Sequence, residues 1–496
     1  MKKSIISFSA MWVAAVAAAA CMLPAAASDS RDGASIVTLQ TPFSSDSLEF
    51  AQFREIIDGF EARNPGVRVE LEADGPREHD GILRRILSRR PPDLLEIPLS
   101  ELPELAVPVG VRDDGTQTGE RMRKVKKMAL APVGDVFAGL RGSLFLSAIA
   151  AGQHEGVSYA IPFRASSTQL VYNPAVLTKA GYDARSPLLS SWNQLLITCA
   201  GIRRAMGGAY FPIGIDGAEG DSLARLAAML VYQNHGRVIE RKEADDGETE
   251  WTTPIDNEAG IKALDMMSKL AAFVPPEALG WSRGDLTNAF IDGRIALFYG
   301  DARAIGEIRS RAPALPIMAI QAPAHKASAS YVDLYGVVMT PRGSEAGRKD
   351  VCDALLAYLC SQEAQAVVMK GGRSGTPVMA PVQRELLDDP WYEGHPEYRV
   401  FLEALWYPCP DVPNPGWAAV ERRVLLPLLR RVMLLQTTPE AAARAAFMRG
   451  SQVLSTHYGY IGHISWTMRL GMGAVGVFLF LVIYFVIGHR PKHHAQ

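Results

Sequence analysis

Hydrophobic and polar positions alternate along the first legible stretch, "SIVTLQTPF", with Ile36 and Thr38 set against Val37 and Leu39 until Pro42 ends the run. That period of two predicts a strand. Phe50, Phe53, Ile57 and Phe60 then recur at helical spacing, and Asn64-Pro65-Gly66 breaks the helix. Val67, Val69 and Leu71 alternate as a second strand, and Ile82, Leu83, Ile86 and Leu87 mark a second helix. Pro91-Pro92 stops that helix before the apolar "DLLEIPL". Strands and helices in alternation predict a largely parallel sheet covered on both faces.

The same theme continues downstream. "VSYAIPF" and "STQLVYN" read as short strands, followed by helices over Ala175–Ala180 and Trp192–Met206. "DSLARLAAMLVYQNHG" and "NEAGIKALDMMSKLAAF" are further helices, with "EADDGETEWTTP" between them as an exposed loop or hairpin. "VCDALLAYLCSQEAQAVVMKGG" predicts two helices, the second capped by Ser361 and closed by Gly371. "QTTPEAAARAAFMRG" offers Thr438 as N-cap, Pro439 at the first helical position and Gly450 as the close. There is no internal repeat.

Both ends carry membrane signals. Lys2 and Lys3 precede an apolar stretch from Ile5 to Leu23, and Ala25-Ala26-Ala27 precedes Ser28, the layout of an export signal over residues 1–27. Cys21 after Ala18-Ala19-Ala20 offers a lipidation site, without the usual larger aliphatic residue three places earlier. Leu470 to Gly488 is 19 residues long and holds no charge, close to the length that crosses a hydrocarbon core of ~30 Å. Trp466 sits at its outer edge; His489, Arg490 and Lys492 lie beyond it, which orients the tail 489–496 toward the cytoplasm. The body is therefore expected outside the cytoplasm, joined to the span by a linker at 456–469. Gly471-Met472-Gly473-Ala474-Val475-Gly476 matches the GxGxxG pattern. It opens an apolar run instead of following a buried strand, so no dinucleotide site is expected.

Composition narrows the possibilities. The chain has 496 residues and a formal net charge of -2, which provides no overall field for nucleic acid. One dense basic cluster, Arg121, Arg123, Lys124, Lys126 and Lys127, reads as a solvated surface insertion or a partner-docking patch. Cys352 and Cys360 are eight apart in a helical segment, so ~12 Å of rise separates them, too far for a disulfide. Cys199 and Cys409 remain able to pair in space. No cysteine or histidine pair has zinc spacing, and no cofactor is implied. His154-Glu155 lacks the second histidine of a zinc-protease motif, and no nucleophile elbow or phosphate loop occurs, which argues against an enzyme.

The order of segments resembles the extracytoplasmic solute-binding proteins of ABC importers, the family that includes maltose- and other sugar-binding proteins. The matching pieces are "IIDGFEARNPGVRVEL", "RRPPDLLEI", "GVSYAIPF", "LVYNPAVLTKAGYD", "SWNQLL", "AFIDGRIALFYGDARAI", "YGVVMTPRGSEAGRKDVCDALLAYLCSQEAQ" and "GGRSGTPV". The resemblance implies an α/β, two-lobe periplasmic-binding-protein fold with an interlobe hinge, here followed by one C-terminal transmembrane helix. It implies lobes at 28–162 with 286–335 and at 163–285 with 336–455, and it puts Gly293 and Gly336 at helix-to-strand or lobe-to-lobe changes. The implied ligand residues are Phe43, Glu96, Phe163, Arg164, Tyr172, Tyr299, Asp301, Arg373 and Trp417. A sugar is the expected solute, and Arg164 with Arg373 raises an acidic or phosphorylated one. The resemblance also implies a body in the periplasm of a bacterial cell envelope. The expected role is a membrane-tethered binder feeding an ABC permease; the alternative is a sensor or scaffold regulating a membrane partner.

Overall fold

The computed structural model describes residues 35–112, 124–184, 189–218, 220–243, 249–409 and 417–461. The expected signal, the span 470–488 and the tail lie outside these residues. Among the described residues no helix is long and apolar enough to cross a membrane.

Ten strands build two sheets: β1 (Ser35–Gln40), β2 (Val67–Glu72), β3 (Leu94–Pro98), β4 (Ala160–Ser167), β5 (Gln169–Tyr172), β6 (Ile213–Gly214), β7 (Leu297–Gly300), β8 (Met318–Ile320), β9 (Val332–Met339) and β10 (Ala380–Pro381). The first sheet runs β10-β4-β9-β3-β1-β2 and the second β6-β7-β5-β8. β1 is parallel to β2 and β3, whereas β9 is antiparallel to both β3 and β4. The first sheet is thus mixed rather than largely parallel. Its middle strands are buried on both faces: every residue of β3 but Pro98, and every residue of β4 but Ser166.

Local signals act as read. Ser47 caps the helix Leu48–Arg63 through Phe50 N at 3.2 Å, and Ser361 caps Gln362–Lys370 through Ala364 N at 3.2 Å. Gly293, at φ 70°, turns the helix Arg283–Ile291 into β7. "EADDGETEWTTP" contributes to a hairpin, Glu240–Glu243 against Thr249–Thr252. Lys124, Lys126 and Lys127 lie in a strand paired with Pro108–Arg112.

Gly450 does not close the last helix, which runs Pro439–Ile461 and includes the first residues of the expected linker. A side chain at Gly450 would meet Thr253 Oγ1 at 2.4 Å, so close packing explains it. Gly336 is no lobe boundary: it stands at a register shift within β9, where a Cβ would press on Leu99 at 2.7 Å. The lobe bounds also differ, because strand pairing sets them. β7 and β8 pair with β5, so 286–320 belongs to the second lobe. β4, β9, β10 and the helices Lys349–Leu359 and Gln362–Lys370 belong to the first. The helices Leu426–Met433 and Pro439–Ile461 return to the second, packing on Gly220–Tyr232 and Glu258–Ala271.

Among the described residues the chain passes between the lobes three times, and the crossings are hydrogen-bonded side by side. Thr168 N donates to Tyr331 O at 2.9 Å, Ser330 N to Tyr407 O at 3.0 Å, and Cys409 N to Ser330 O at 2.7 Å. Gln169 ties them together, its Nε2 donating to Ser330 Oγ at 3.1 Å and its Oε1 accepting from Ala322 N at 2.9 Å. Cys199, Cys352, Cys360 and Cys409 are all buried free thiols. Cys199 and Cys409 are therefore not paired.

Candidate functional site

Above the crossings a pocket of about 690 Å³, counting its open mouth, is lined by both lobes. Ser166 and Asp333 are paired across β4 and β9 at the ends of those strands in the first sheet. Asp216, Ser222, Arg225, Arg283, Tyr299 and Asp301 come from the second lobe. Each is fixed by its local fold. Asp301 caps the helix Ala302–Arg311, accepting from Ala304 N at 3.1 Å. Arg283 opens its helix one residue after the capping-box Ser282 and meets Asp301 Oδ2 at 3.1 Å. Arg225, in the helix Gly220–Tyr232, meets Asp333 Oδ2 at 3.2 Å. Ser166 Oγ donates to Asp301 at 3.3 Å, and Ser222 Oγ to Asp216 at 2.8 Å.

The result is a ring of guanidinium donors, carboxylate acceptors and hydroxyls around an aromatic wall. Tyr299 supplies that wall; it is 9% exposed, and its hydroxyl has no hydrogen-bond partner among the described residues. Burial pushes its phenol well above the ordinary value, so it stays a neutral donor. Behind the pocket, burial lowers Arg303 and raises Glu307. Arg303 is ion-paired with the buried Glu49 of the first lobe, a bridge across the cleft. Donors and acceptors held at a shared wall are what a polyhydroxy solute needs, since each hydroxyl both gives and accepts a hydrogen bond.

Of the nine residues singled out in the sequence, Tyr299 and Asp301 lie in this pocket. Phe43, Glu96, Phe163 and Arg164 instead form a buried cluster. Arg164 is 1% exposed and gripped by Glu96 at 2.7 and 2.8 Å, with Phe43, Phe53 and Phe163 around its guanidinium at 4.6, 5.2 and 5.1 Å. Tyr172 is buried and donates to Ala184 O at 3.1 Å. Arg373 is on the surface, its amide on Glu55 at 2.7 Å and its guanidinium 3.5 Å from Asp58, both of the helix Leu48–Arg63. Trp417 is half-buried at the start of the helix Trp417–Val420. The two arginines that raised an acidic solute are thus not in the pocket. Asp216, Arg225, Arg283 and Asp333 were missed, although a lone charge in each of the apolar runs "LARLAAML" and "YVDLYGVV" was a visible signal.

Two α/β lobes, three hydrogen-bonded crossings and a polar pocket between them define a two-lobe binding-protein architecture. Its family follows from sequence: the chain belongs to the bacterial extracellular solute-binding proteins, whose model matches residues 55–400. Members bind solutes, and the chain is not an enzyme. Solved structures share the fold. The sugar-binding protein MalE of Xanthomonas citri is 16% identical, with 86% of this chain and 99% of that one covered at a TM-score of 0.67. Maltose-bound MalE3 of T. maritima is 16% identical, covering 85% and 100% at 0.63. UgpB of Mycobacterium tuberculosis, in complex with glycerophosphocholine, is 18% identical, covering 86% and 100% at 0.63. No curated protein matches the sequence.

Proposed function

We propose that the protein captures a small neutral polyhydroxy solute, a carbohydrate, in the interlobe pocket and delivers it to an ABC permease. The observation that carries this is the pocket itself, with Ser166 and Asp333 on one lobe facing Arg225, Tyr299 and Asp301 on the other. Its arginines each sit against an aspartate, so the pocket offers hydrogen bonds rather than a bare cation for an anion. The maltose bound to a structural neighbour supports the same class. The body works outside the cytoplasm, and the apolar stretch 470–488 holds it at the membrane beside its permease, raising its local concentration there.

The test is thermal melting of the full-length protein in detergent against sugars, polyols, sugar phosphates and glycerophosphodiesters. A solute at 100 times its Kd adds about 2.7 kcal/mol. A saturable shift with neutral sugars or polyols is expected; shifts confined to anionic solutes, or none from a folded protein, refute the reading. Deleting 470–488 should move the protein from the membrane to the soluble fraction. Retention at the membrane after that deletion would remove the tether from the proposal. Co-purification of a kinase or chemoreceptor in place of a permease would replace delivery with sensing.

A further inference from the structure

Away from the pocket, at the rim of the first lobe, three side chains with metal-ligating atoms converge. His79 is the first residue of the helix His79–Ile86, Glu101 ends the short turn Leu99–Glu101, and Glu104 lies in the following helix Leu102–Leu105. Glu101 and Glu104 are three residues apart on a helical turn, which sends both carboxylates the same way. His79 Nδ1 stands 3.2 Å from Glu104 Oε2, and one ligand atom from each of the three lies within 4.8 Å of the others. The backbone beneath is anchored: Ile82, Leu102 and Leu105 are fully buried. The local field is negative. Glu78 and Asp80 both bear on Glu101, Asp80 and Glu101 bear on Glu104, and Arg422 is the cation that offsets Glu101.

We propose that His79, Glu101 and Glu104 form a divalent transition-metal site, suited to zinc, on the rim of the first lobe where it meets the second. The donor set is one imidazole nitrogen and two carboxylate oxygens. Mixed nitrogen and oxygen donors select borderline ions such as Zn²⁺ over Mg²⁺ or Ca²⁺, which prefer all-oxygen shells. Three protein ligands leave a fourth tetrahedral position for water. The 3.2 Å separation of His79 Nδ1 and Glu104 Oε2 matches the edge of a tetrahedron with bonds of about 2.0–2.1 Å. A modest closing of Glu101 completes the set. Next to this group, Glu78 reaches Arg422 of the second lobe at 2.6 Å, so an ion there sits where the lobes touch. The site is independent of the solute pocket, and its occupancy does not depend on the transport reading.

The experiment uses the full-length protein with His489, His493 and His494 changed to alanine, because those tail histidines offer a competing donor set. It is titrated with zinc chloride by calorimetry and with cobalt(II) by visible absorption. One ion per chain is expected, with a cobalt absorption band of the intensity of a four-coordinate ion. His79→Ala, Glu101→Gln and Glu104→Gln should each weaken binding at least about tenfold, since even outer-shell changes cost ~10–100-fold. Their metal-free melting curves should stay cooperative; if His79→Ala does not fold, the two glutamine variants carry the result. No uptake once the tail histidines are gone, or uptake that Glu101→Gln and Glu104→Gln leave unchanged, overturns the site.

Discussion

Arg164 provides the sharpest test of how the first lobe is held together. Its guanidinium gives Nε and Nη2 to Glu96 at 2.7 and 2.8 Å and Nη1 to Glu49 O at 3.1 Å, and Thr41 Oγ1 completes Glu96 at 2.5 Å. Glu96 is 0% exposed and Arg164 1%, so neither charge has water to fall back on. Arg164→Met therefore leaves a desolvated carboxylate with one hydroxyl for company. Removing one partner of a buried pair costs about 3–5 kcal/mol. At ~2–4 °C per kcal/mol for a unit of lobe size, the melting temperature should fall by about 6–20 °C. Adding Glu96→Leu removes the stranded charge, so the double variant should recover most of the loss, because an apolar replacement of a whole buried pair is often close to neutral. Calorimetry of the parent, both single variants and the double variant measures the coupling directly. If Arg164→Met costs less than about 1 kcal/mol, or the double variant loses as much as the two singles summed, the pair does not support the lobe as described. Solute affinity of the folded variants should stay within a few-fold of the parent, since Arg164 faces Glu96 and not the pocket.

Tyr299→Phe should weaken solute binding by about 1–3 kcal/mol if its buried hydroxyl pairs with the solute. The same change should leave the solute-free protein as stable or slightly more so, and matched isothermal titrations and melts would separate the two effects. Gly371→Ala should destabilise by ~1–3 kcal/mol, because a Cβ would lie 2.3 Å from Thr376 backbone as well as strain a φ of 82°. Gly66→Ala, at φ 95° with open space around it, should cost less, and urea midpoints would rank them. Arg422→Ala, which breaks the exposed interlobe pair with Glu78, should change stability by no more than about 1 kcal/mol, and a larger loss in melting experiments would show the pair to be stronger than its exposure implies.

Elements whose signals are local were legible in the sequence. The serine caps at Ser47 and Ser361, the Gly293 turn and the strand alternation of β1 and β2 depend on residues within a few positions. Strand partners were not legible. β7, "LFYG", and β9, "VDLYGVVM", are similar apolar runs, yet one pairs with β5 and the other wedges between β3 and β4. Nothing in their periodicity decides between those sheets, so the lobe bounds were misread. Arg164 follows "YAIP", a place the family resemblance ties to ligand binding, yet it lies inside β4 and is buried against Glu96. Its partner Glu96 is the lone charge of "LLEIP", which forms β3, one strand removed from β4 across β9 in the same sheet. Tyr299, near the end of β7, and Asp301, just past it, are the two sequence candidates that line the pocket. Asp216, buried in a loop, and Arg283, at a helix start, carry no periodic signal, and they meet the pocket only once the lobes are assembled.

The order β10-β4-β9-β3-β1-β2 has a consequence for how the chain becomes a protein. β3 ends at Pro98 and β4 at Ser167, but β9, the strand that separates them, is not made until residue 339. Until then β3 and β4 each present a bare, strongly apolar edge with nothing beside it, while the chain of the second lobe is still being produced. Such edges recruit other strands indiscriminately. Pairings this distant along the chain also form late. From residue 167 until residue 339 is made, the polypeptide therefore carries two unpaired apolar edges, and that interval is when wrong strand pairing has its best chance.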